Sequence, residues 1–222
     1  MRFLLSLLVI LVVSALAISQ AGSFRPGAAP AAASNGDPGE VKALIMVANH
    51  YGANYNLIRD VMELYGWDIT TVGVTPKVSP CYYGDSITVD TLVTEIADVS
   101  YYDVLLISTS RIIQTGGSHA QLLASPEALD LVAQAASESL LVVALCGGPR
   151  VLAAAGVING VTVTGKEEYL QEYLDAGAIW AGESDTPLMD GNFITSLRNQ
   201  LNSRRLCEMI RTYVAEKRAG AK

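Results

Sequence analysis

Cys146 is the residue of this chain whose surroundings are best suited to chemistry. The segment Leu145-Cys146-Gly147-Gly148-Pro149 leads from an apolar run directly into a predicted helix. A sharp strand-to-helix turn projects the side chain at its apex above the sheet, and glycines leave room there for a reacting atom. A thiol at a helix N-terminus also meets the positive end of the helix dipole, which favours the thiolate. The segment therefore predicts a nucleophile elbow, with Cys146 as nucleophile and the backbone N–H of Gly147 as an oxyanion donor.

The alternative for Cys146 is an inert core residue, since free cysteine is among the most buried residue types. The chain has three cysteines, an odd number and too few for an extracellular disulfide framework. Cys207 lies on the apolar face of a predicted C-terminal helix and is expected in the core. Cys81 lies in a loop that contains proline and glycine, where its thiol is either free or paired between molecules.

The elements that must position Cys146 alternate between strands and helices. Short apolar runs, typical of strands buried on both faces, occur at residues 41–47, 68–74, 104–108, 140–145 and 192–195. Helices are predicted at residues 57–65, 89–97, 126–137, 149–156, 167–175 and 203–217. Asn159-Gly160 predicts a hairpin turn. This alternation predicts an α/β domain with a mostly parallel sheet covered on both faces, whose ligands bind beyond the carboxyl ends of the strands.

The N-terminal 40 residues differ in composition from the rest. Residues 3–18 are apolar apart from two serines, follow a single arginine and include the small-residue pattern Ala15-Leu16-Ala17. These features predict that residues 1–21 are a secretory signal peptide or, alternatively, a retained membrane anchor. Residues 22–40, rich in proline, glycine and alanine, are expected to be a flexible linker. Residues 41–222 form the predicted domain, which is then secreted or held outside the cytoplasm by residues 3–18.

Charge and composition restrict the partners. The formal net charge is −7, and no basic cluster precedes the last few residues, which argues against nucleic acid as a partner. The expected partner is a small-molecule substrate. The motifs found here require neither a cofactor nor a metal, and we expect none. A membrane is expected as a partner only through an uncleaved N-terminal segment.

The region around Cys146 resembles the nucleophile region of the DJ-1/PfpI family, within the class I glutamine-amidotransferase-like superfamily. The resemblance rests on residues 144–152 and 155–164, on the later segment 190–196 and on the strand at 102–107. It implies a flavodoxin-like three-layer sandwich, a homodimer or higher homo-oligomer, and a reactive cysteine. Members include peptidases, glyoxalase-like or deglycase-like enzymes, hydratases, and chaperone-like or stress-response proteins, so membership does not fix the reaction.

Three positions depart from the family pattern. Peptidase-like members carry a histidine directly after the nucleophile, where this chain has Gly147. Many members place a glutamate at the start of the first helix, and that position falls here on Asn54, or on Tyr55 if the alignment shifts by one. Some members have another histidine where this chain has Lys166, which either lowers the pKa of the thiol or is an ordinary exposed lysine.

The chain contains two histidines, and one of them follows a Gly-Gly pair. Gly116-Gly117 resembles the family's Gly-Gly loop, displaced here by the inserted residues 110–115, so Gly117 is a candidate for a second oxyanion N–H. His119 is either a general base or a solvated loop histidine, and the sequence favours the second interpretation.

Two functions fit these residues. The first is a cysteine-dependent enzyme on small carbonyl or amide substrates, with glyoxalase, deglycase or hydrolase chemistry. The second is a non-catalytic member with a chaperone-like, redox-responsive or ligand-binding role. Because no acid–base partner is evident, we expect negligible peptidase activity; any turnover should be of small reactive aldehydes, whose addition expels no leaving group.

The N-terminal pattern predicts processing between about Ala17 and Ala21. N-terminal sequencing of the exported protein is expected to start within this window. An intact Met1 on a membrane-bound product would contradict cleavage.

The Cys146 segment predicts an activated thiol. We expect its alkylation rate to follow a pKa below the ~8.5 of a free cysteine, because a helix N-terminus stabilises the thiolate. The measurement is alkylation of Cys146 against pH, with Cys81 and Cys207 as internal comparisons. A value at or above that of a free thiol would rule out the nucleophile hypothesis.

Overall fold

The computed structural model describes residues 40–81, 85–110, 117–198 and 201–220. Its strands are β1 (Lys42–Val47), β2 (Asp68–Gly73), β3 (Lys77–Val78), β4 (Ile87–Thr88), β5 (Thr91–Leu92), β6 (Val104–Ser108), β7 (Leu141–Leu145), β8 (Thr162–Val163), β9 (Ile179–Trp180), β10 (Leu188–Asp190) and β11 (Phe193–Ser196). The α-helices are α1 (Ala53–Leu64), α2 (Gly117–Leu123), α3 (Pro126–Ser137), α4 (Gly148–Ala154), α5 (Leu170–Asp175) and α6 (Ser203–Gly220). Short 3₁₀ helices are Val93–Glu95, Val99–Tyr101 and Glu167–Tyr169.

Seven strands form the central sheet in the order β10-β11-β7-β6-β1-β2-β5. Neighbouring strands run parallel except β10 and β11, which are antiparallel. The mostly parallel sheet predicted from the sequence is confirmed. The remaining short strands pair outside it, β3 with β4 and β8 with β9.

The sheet is buried on both faces, which explains why its strands are continuously apolar. Successive side chains of β1 point to opposite faces. Leu44 and Met46 belong to one core, which includes residues of α2, α3, α4 and α5. Ile45 and Val47 belong to the other, which includes residues of α1 and α6. The predicted three-layer α/β sandwich is therefore confirmed, and buried Cys207 lies in the second core as expected.

The helix predicted at residues 89–97 is wrong. The chain there forms the edge strand β5 and the 3₁₀ helix Val93–Glu95. The Asp90 carboxylate accepts a hydrogen bond of 2.7 Å from the backbone N–H of Thr71 in β2. Because this contact and the β2–β5 pairing hold the chain extended along the sheet edge, the apolar spacing of the segment does not lead to an α-helix.

The hairpin predicted at Asn159-Gly160 is also wrong. Gly160 does adopt the positive φ of +75° that such a turn requires. Its N–H donates to the carbonyl of Gly177 at 2.9 Å, and β8 pairs in parallel with β9 instead of with the segment before the turn. The turn is therefore local, while the strand after it finds its partner beyond α5.

The carboxyl ends of three neighbouring strands meet at one edge of the sheet. Leu145 at the end of β7 lies beside Ser108 of β6 and Ser196 of β11. Residues that directly follow these strands are brought together there.

Within the described ranges, no helix is both long and apolar enough to cross a membrane. The predicted signal peptide, and all of the predicted linker except residue 40, lie outside the described residues.

Candidate functional site

Cys146 sits at the turn between β7 and α4. Its φ of +60° lies in the left-handed region, which costs a non-glycine residue of order 1–3 kcal/mol. Its N–H donates to the Ser196 carbonyl at 3.0 Å, and only 8% of the residue is exposed. The strand–cysteine–helix turn predicted from the sequence is present, and neighbouring strands hold it in its strained conformation.

The backbone N–H of Gly147, predicted as an oxyanion donor, is already used. It donates to Oγ1 of Thr109 at 2.8 Å, and the Thr109 hydroxyl donates to the Leu145 carbonyl at 2.8 Å. Thr109 directly follows β6, so the adjacent strand fixes the turn on both sides of Cys146. The Gly147 N–H can bind a substrate oxygen only if Thr109 releases it.

His119 lies beside this turn, which corrects the expectation of a solvated loop histidine. It belongs to helix α2, and only 4% of it is exposed. A Cβ placed on Gly147 would lie 2.7 Å from Nδ1 of His119. The imidazole therefore occupies the space that a side chain at position 147 would need, and glycine is required there.

One contact fixes the tautomer of His119, and burial favours its neutral, proton-accepting form. Its Nδ1 lies 3.3 Å from the Ser110 carbonyl. Because a carbonyl only accepts, Nδ1 carries the proton of the neutral ring and Nε2 keeps its lone pair. Burial, and next the charge of Arg150, lower the pKa of His119. The Ser110 carbonyl and nearby Glu168 and Glu172 oppose this shift without reversing it.

Gly117 is packed against the same imidazole. It has a positive φ of +66°, and a Cβ there would lie 2.7 Å from the Ser110 oxygen and 3.0 Å from Cε1 of His119. Gly117 thus reaches the turn despite the preceding insertion; residues 111–116 lie outside the described residues. Its role as a second oxyanion donor stays a prediction.

Asn54 acts on the site through Thr109. It is the second residue of α1, is buried, and its Nδ2 donates to the Thr109 carbonyl at 3.2 Å. Asn54, one of the two candidates for the family's glutamate position, therefore supports the residue whose hydroxyl holds Gly147. Lys166, in contrast, has its ammonium 3.7 Å from the carboxylate of Glu183. Its predicted influence on Cys146 thus competes with this ion pair.

Sequence reasoning assigned no role to several side chains that surround the turn. Tyr169 packs on His119, with 5.8 Å between ring centroids. Burial, followed by the hydrogen bond that the Tyr169 hydroxyl donates to Glu168, raises the pKa of Tyr169 to about 12; a smaller contribution comes from Cys146. The polar run Ser108-Thr109-Ser110, at the end of a buried strand, was the signal that could have indicated the supporting residues.

The thiols of Cys207 and Cys81 lie in surroundings that raise their pKa values. Burial raises the pKa of Cys207 to about 12 and also raises that of Cys81.

Among the described residues, His, Cys, Asp and Glu side chains form no group of three or more that could bind a metal ion. That the protein uses no cofactor remains an expectation.

The contact between His119 and Gly147 makes a specific prediction for Gly147→Ala. The added methyl group would overlap the imidazole, so His119 must move. We expect a loss of about 1–3 kcal/mol in the free energy of unfolding, the usual range for overpacking a filled site. Urea denaturation measures this loss. The control is Gly220→Ala, where a Cβ would meet open space and φ is not positive, as at Gly147. Equal losses in both variants would contradict the packing argument.

Comparisons with known proteins agree with this architecture. The model of the DJ-1/PfpI family matches residues 41–209. An uncharacterized protein of Methanocaldococcus jannaschii is 28% identical over 138 residues, which are 61% of this chain and 63% of that protein. The chain thus spans less than two thirds of the length of this curated relative.

Solved structures show the same fold. Drosophila melanogaster DJ-1beta has a TM-score of 0.63 at 22% identity, covering 79% of this chain and 91% of that one. A ThiJ/PfpI domain protein of Brachyspira murdochii has a TM-score of 0.66 at 14% identity, covering 82% and 99%. A two-domain protein of Anabaena variabilis with DJ-1/ThiJ/PfpI-like and ferritin-like domains gives 0.62 at 23%, covering 71% and 43%. With its family model matched over residues 41–209 and its fold shared, this chain belongs to the DJ-1/PfpI family.

Proposed function

We propose that this protein is a Cys146-dependent enzyme that acts on small reactive carbonyl compounds, with His119 as the proton acceptor. One observation carries the proposal: a buried imidazole packs on Gly147, directly beside a cysteine held at positive φ. A nucleophile next to an oriented base is the arrangement that nucleophilic catalysis needs.

The proposed reaction begins with addition of the thiol to an aldehyde. His119 takes the thiol proton on Nε2 while the sulfur forms a bond to the carbonyl carbon. The carbonyl oxygen then receives the proton back from the imidazolium, which gives a hemithioacetal. This addition expels no leaving group, so a single histidine supplies both proton transfers. For turnover of a 2-oxoaldehyde, the hemithioacetal then rearranges to a thioester as its carbon-bound hydrogen moves as a proton to the neighbouring carbonyl carbon. Water cleaves the thioester to a 2-hydroxy acid and the free thiol of Cys146.

The geometry favours aldehydes over peptide amides. Amide hydrolysis depends on strong stabilisation of an oxyanion, and loss of one donor typically reduces kcat by about 10²–10³-fold. Here the Gly147 N–H donates to Thr109. The low exposure of Cys146 also favours a small substrate over an extended peptide.

Location and assembly are further proposals. The apolar N-terminus and the linker that follows support action outside the cytoplasm. The family resemblance supports a homodimer or a higher homo-oligomer. Neither proposal is needed for the chemistry at Cys146.

The test of the proposed function is a side-by-side assay on a small 2-oxoaldehyde and on a peptide amide. We expect turnover of the aldehyde only, abolished in Cys146→Ser and reduced about 10²–10⁴-fold in His119→Gln, the usual contribution of a positioned base. Because the base works only when neutral, activity should fall as pH drops through the lowered pKa of His119. The activity lost at low pH should return on neutralisation.

The chain offers matched controls for both variants. Cys207→Ala and His50→Gln change the same residue types and should keep most of the activity. Cys207 lies in the core on the other face of the sheet. The His50 contact with Ser110 is made by its backbone carbonyl, which the substitution keeps. Peptide cleavage that depends on Cys146 would overturn the substrate assignment. Activity on neither substrate would favour the non-catalytic alternative, in which the fold serves binding, redox response or a chaperone-like role.

A further inference from the structure

A stack of three side chains leads away from the candidate site. The ring of Tyr169 packs against the imidazole of His119, with centroids 5.8 Å apart and planes inclined by 59°. The guanidinium carbon of Arg150 lies 4.1 Å from the centroid of the same tyrosine ring. A guanidinium over an aromatic ring is held by the negative charge of the ring face. We refer to His119, Tyr169 and Arg150 as the arginine stack.

The outer end of the arginine stack is fixed by an ion pair. Nε and Nη2 of Arg150 donate to the two carboxylate oxygens of Glu172 at 2.7 and 2.6 Å. A bidentate pair of this kind fixes the plane of the guanidinium as well as its position. Arg150 belongs to α4 and Glu172 to α5, while His119 belongs to α2. The stack therefore connects three helices around the turn that holds Cys146.

The stack also sets the electrostatic surroundings of the imidazole. The titratable and charged groups around His119 are Arg150, Glu168, Tyr169 and Glu172. Cys146 interacts electrostatically with Tyr169. Burial lowers the pKa of His119 most, and the positive charge of Arg150 lowers it further. The two glutamates act in the opposite direction. Because Arg150 is itself paired with Glu172, removing its charge would leave that glutamate uncompensated near the imidazole.

We propose that Arg150 is a positioning residue of this site: stacked on Tyr169 and locked by Glu172, it keeps the imidazole of His119 neutral and pressed against Gly147. This inference rests on the proposed role of His119 as the base for Cys146. Arg150 acts through Tyr169 and through its charge, without touching the reacting atoms.

Different substitutions separate the effect of the Arg150 charge from the effect of its planar shape. Arg150→Gln removes both the charge and the bidentate pair, whereas Arg150→Lys keeps the charge and loses the planar fork. Tyr169→Leu removes the ring between the two partners, whereas Tyr169→Phe keeps it. The matched control is Arg59→Gln, because Arg59 also pairs with a glutamate and lies over a tyrosine ring, but on α1.

The first readout is the NMR titration of the histidine rings, which does not depend on activity. The chain has two histidines, so His50→Gln assigns the signals. In Arg150→Gln we expect the midpoint of His119 to rise by about 0.5–1 pH unit, since removal of a nearby like charge favours the imidazolium. Arg150→Lys and Arg59→Gln should stay close to the wild-type midpoint. An unchanged midpoint in Arg150→Gln would overturn the electrostatic role.

The second readout is the alkylation rate of Cys146 at neutral pH, in protein with the other two cysteines replaced by serine. Tyr169→Leu should slow alkylation at least about tenfold, a modest part of what a positioned base contributes, and Tyr169→Phe should restore the rate. Equal rates in the two variants would overturn the positioning role. If Arg150→Gln does not fold, the comparison of Tyr169→Leu with Tyr169→Phe still tests the positioning role.

The failure of this inference is distinguishable from failure of the proposed function. One outcome is aldehyde turnover that requires His119, with an unchanged His119 midpoint in Arg150→Gln and equal alkylation rates in Tyr169→Leu and Tyr169→Phe. This outcome would support the proposed function and exclude a role for Arg150 in it. The other outcome is a raised His119 midpoint in Arg150→Gln and slower alkylation of Cys146 in Tyr169→Leu, without turnover of any carbonyl substrate. This outcome would support the positioning role of Arg150 and contradict the proposed enzyme activity.

Discussion

The strained backbone of Cys146 is the constraint on which the rest of the site depends. A non-glycine residue holds a φ of +60° only where its surroundings over-determine it. Here the N–H of Cys146 is bound by the end of β11, and Thr109, after β6, holds the carbonyl before the cysteine and the N–H after it. Three parallel strands thus fix one turn, and a parallel sheet that brings their carboxyl ends together is what makes this possible.

The same turn accommodates a histidine from another helix. The family resemblance implies a histidine after the nucleophile in peptidase-like members, where this chain has Gly147. The glycine leaves a space, and the imidazole of His119 fills it from α2, with its Nδ1 oriented by the Ser110 carbonyl. A side chain at position 147 and His119 in its present place exclude each other. Glycine at position 147 and the packing of His119 against it therefore depend on each other.

The sequence predicted the parts of this protein that local patterns determine. Continuous apolar runs indicated the buried strands, and the glycines and proline after Cys146 indicated the turn. His119 was misjudged because Ser110 and Gly147, which bury and orient it, are distant along the chain and offer no local periodicity. The use of the Gly147 N–H by Thr109 spans 38 positions and has no sequence signal of its own. At Asn159-Gly160 the turn chemistry was predicted correctly, but strand pairing depended on β9, which only the tertiary structure supplies.

The central claim is that Cys146 and His119 form one coupled proton-transfer unit. The most direct measurement is the titration midpoint of His119 before and after alkylation of Cys146, in protein whose other cysteines are serine. Blocking the sulfur removes the proton partner of His119 and further buries the ring, and this burial disfavours the imidazolium. The account predicts a lower midpoint in the alkylated protein. A midpoint that does not move would show that the two groups titrate independently and would contradict the account.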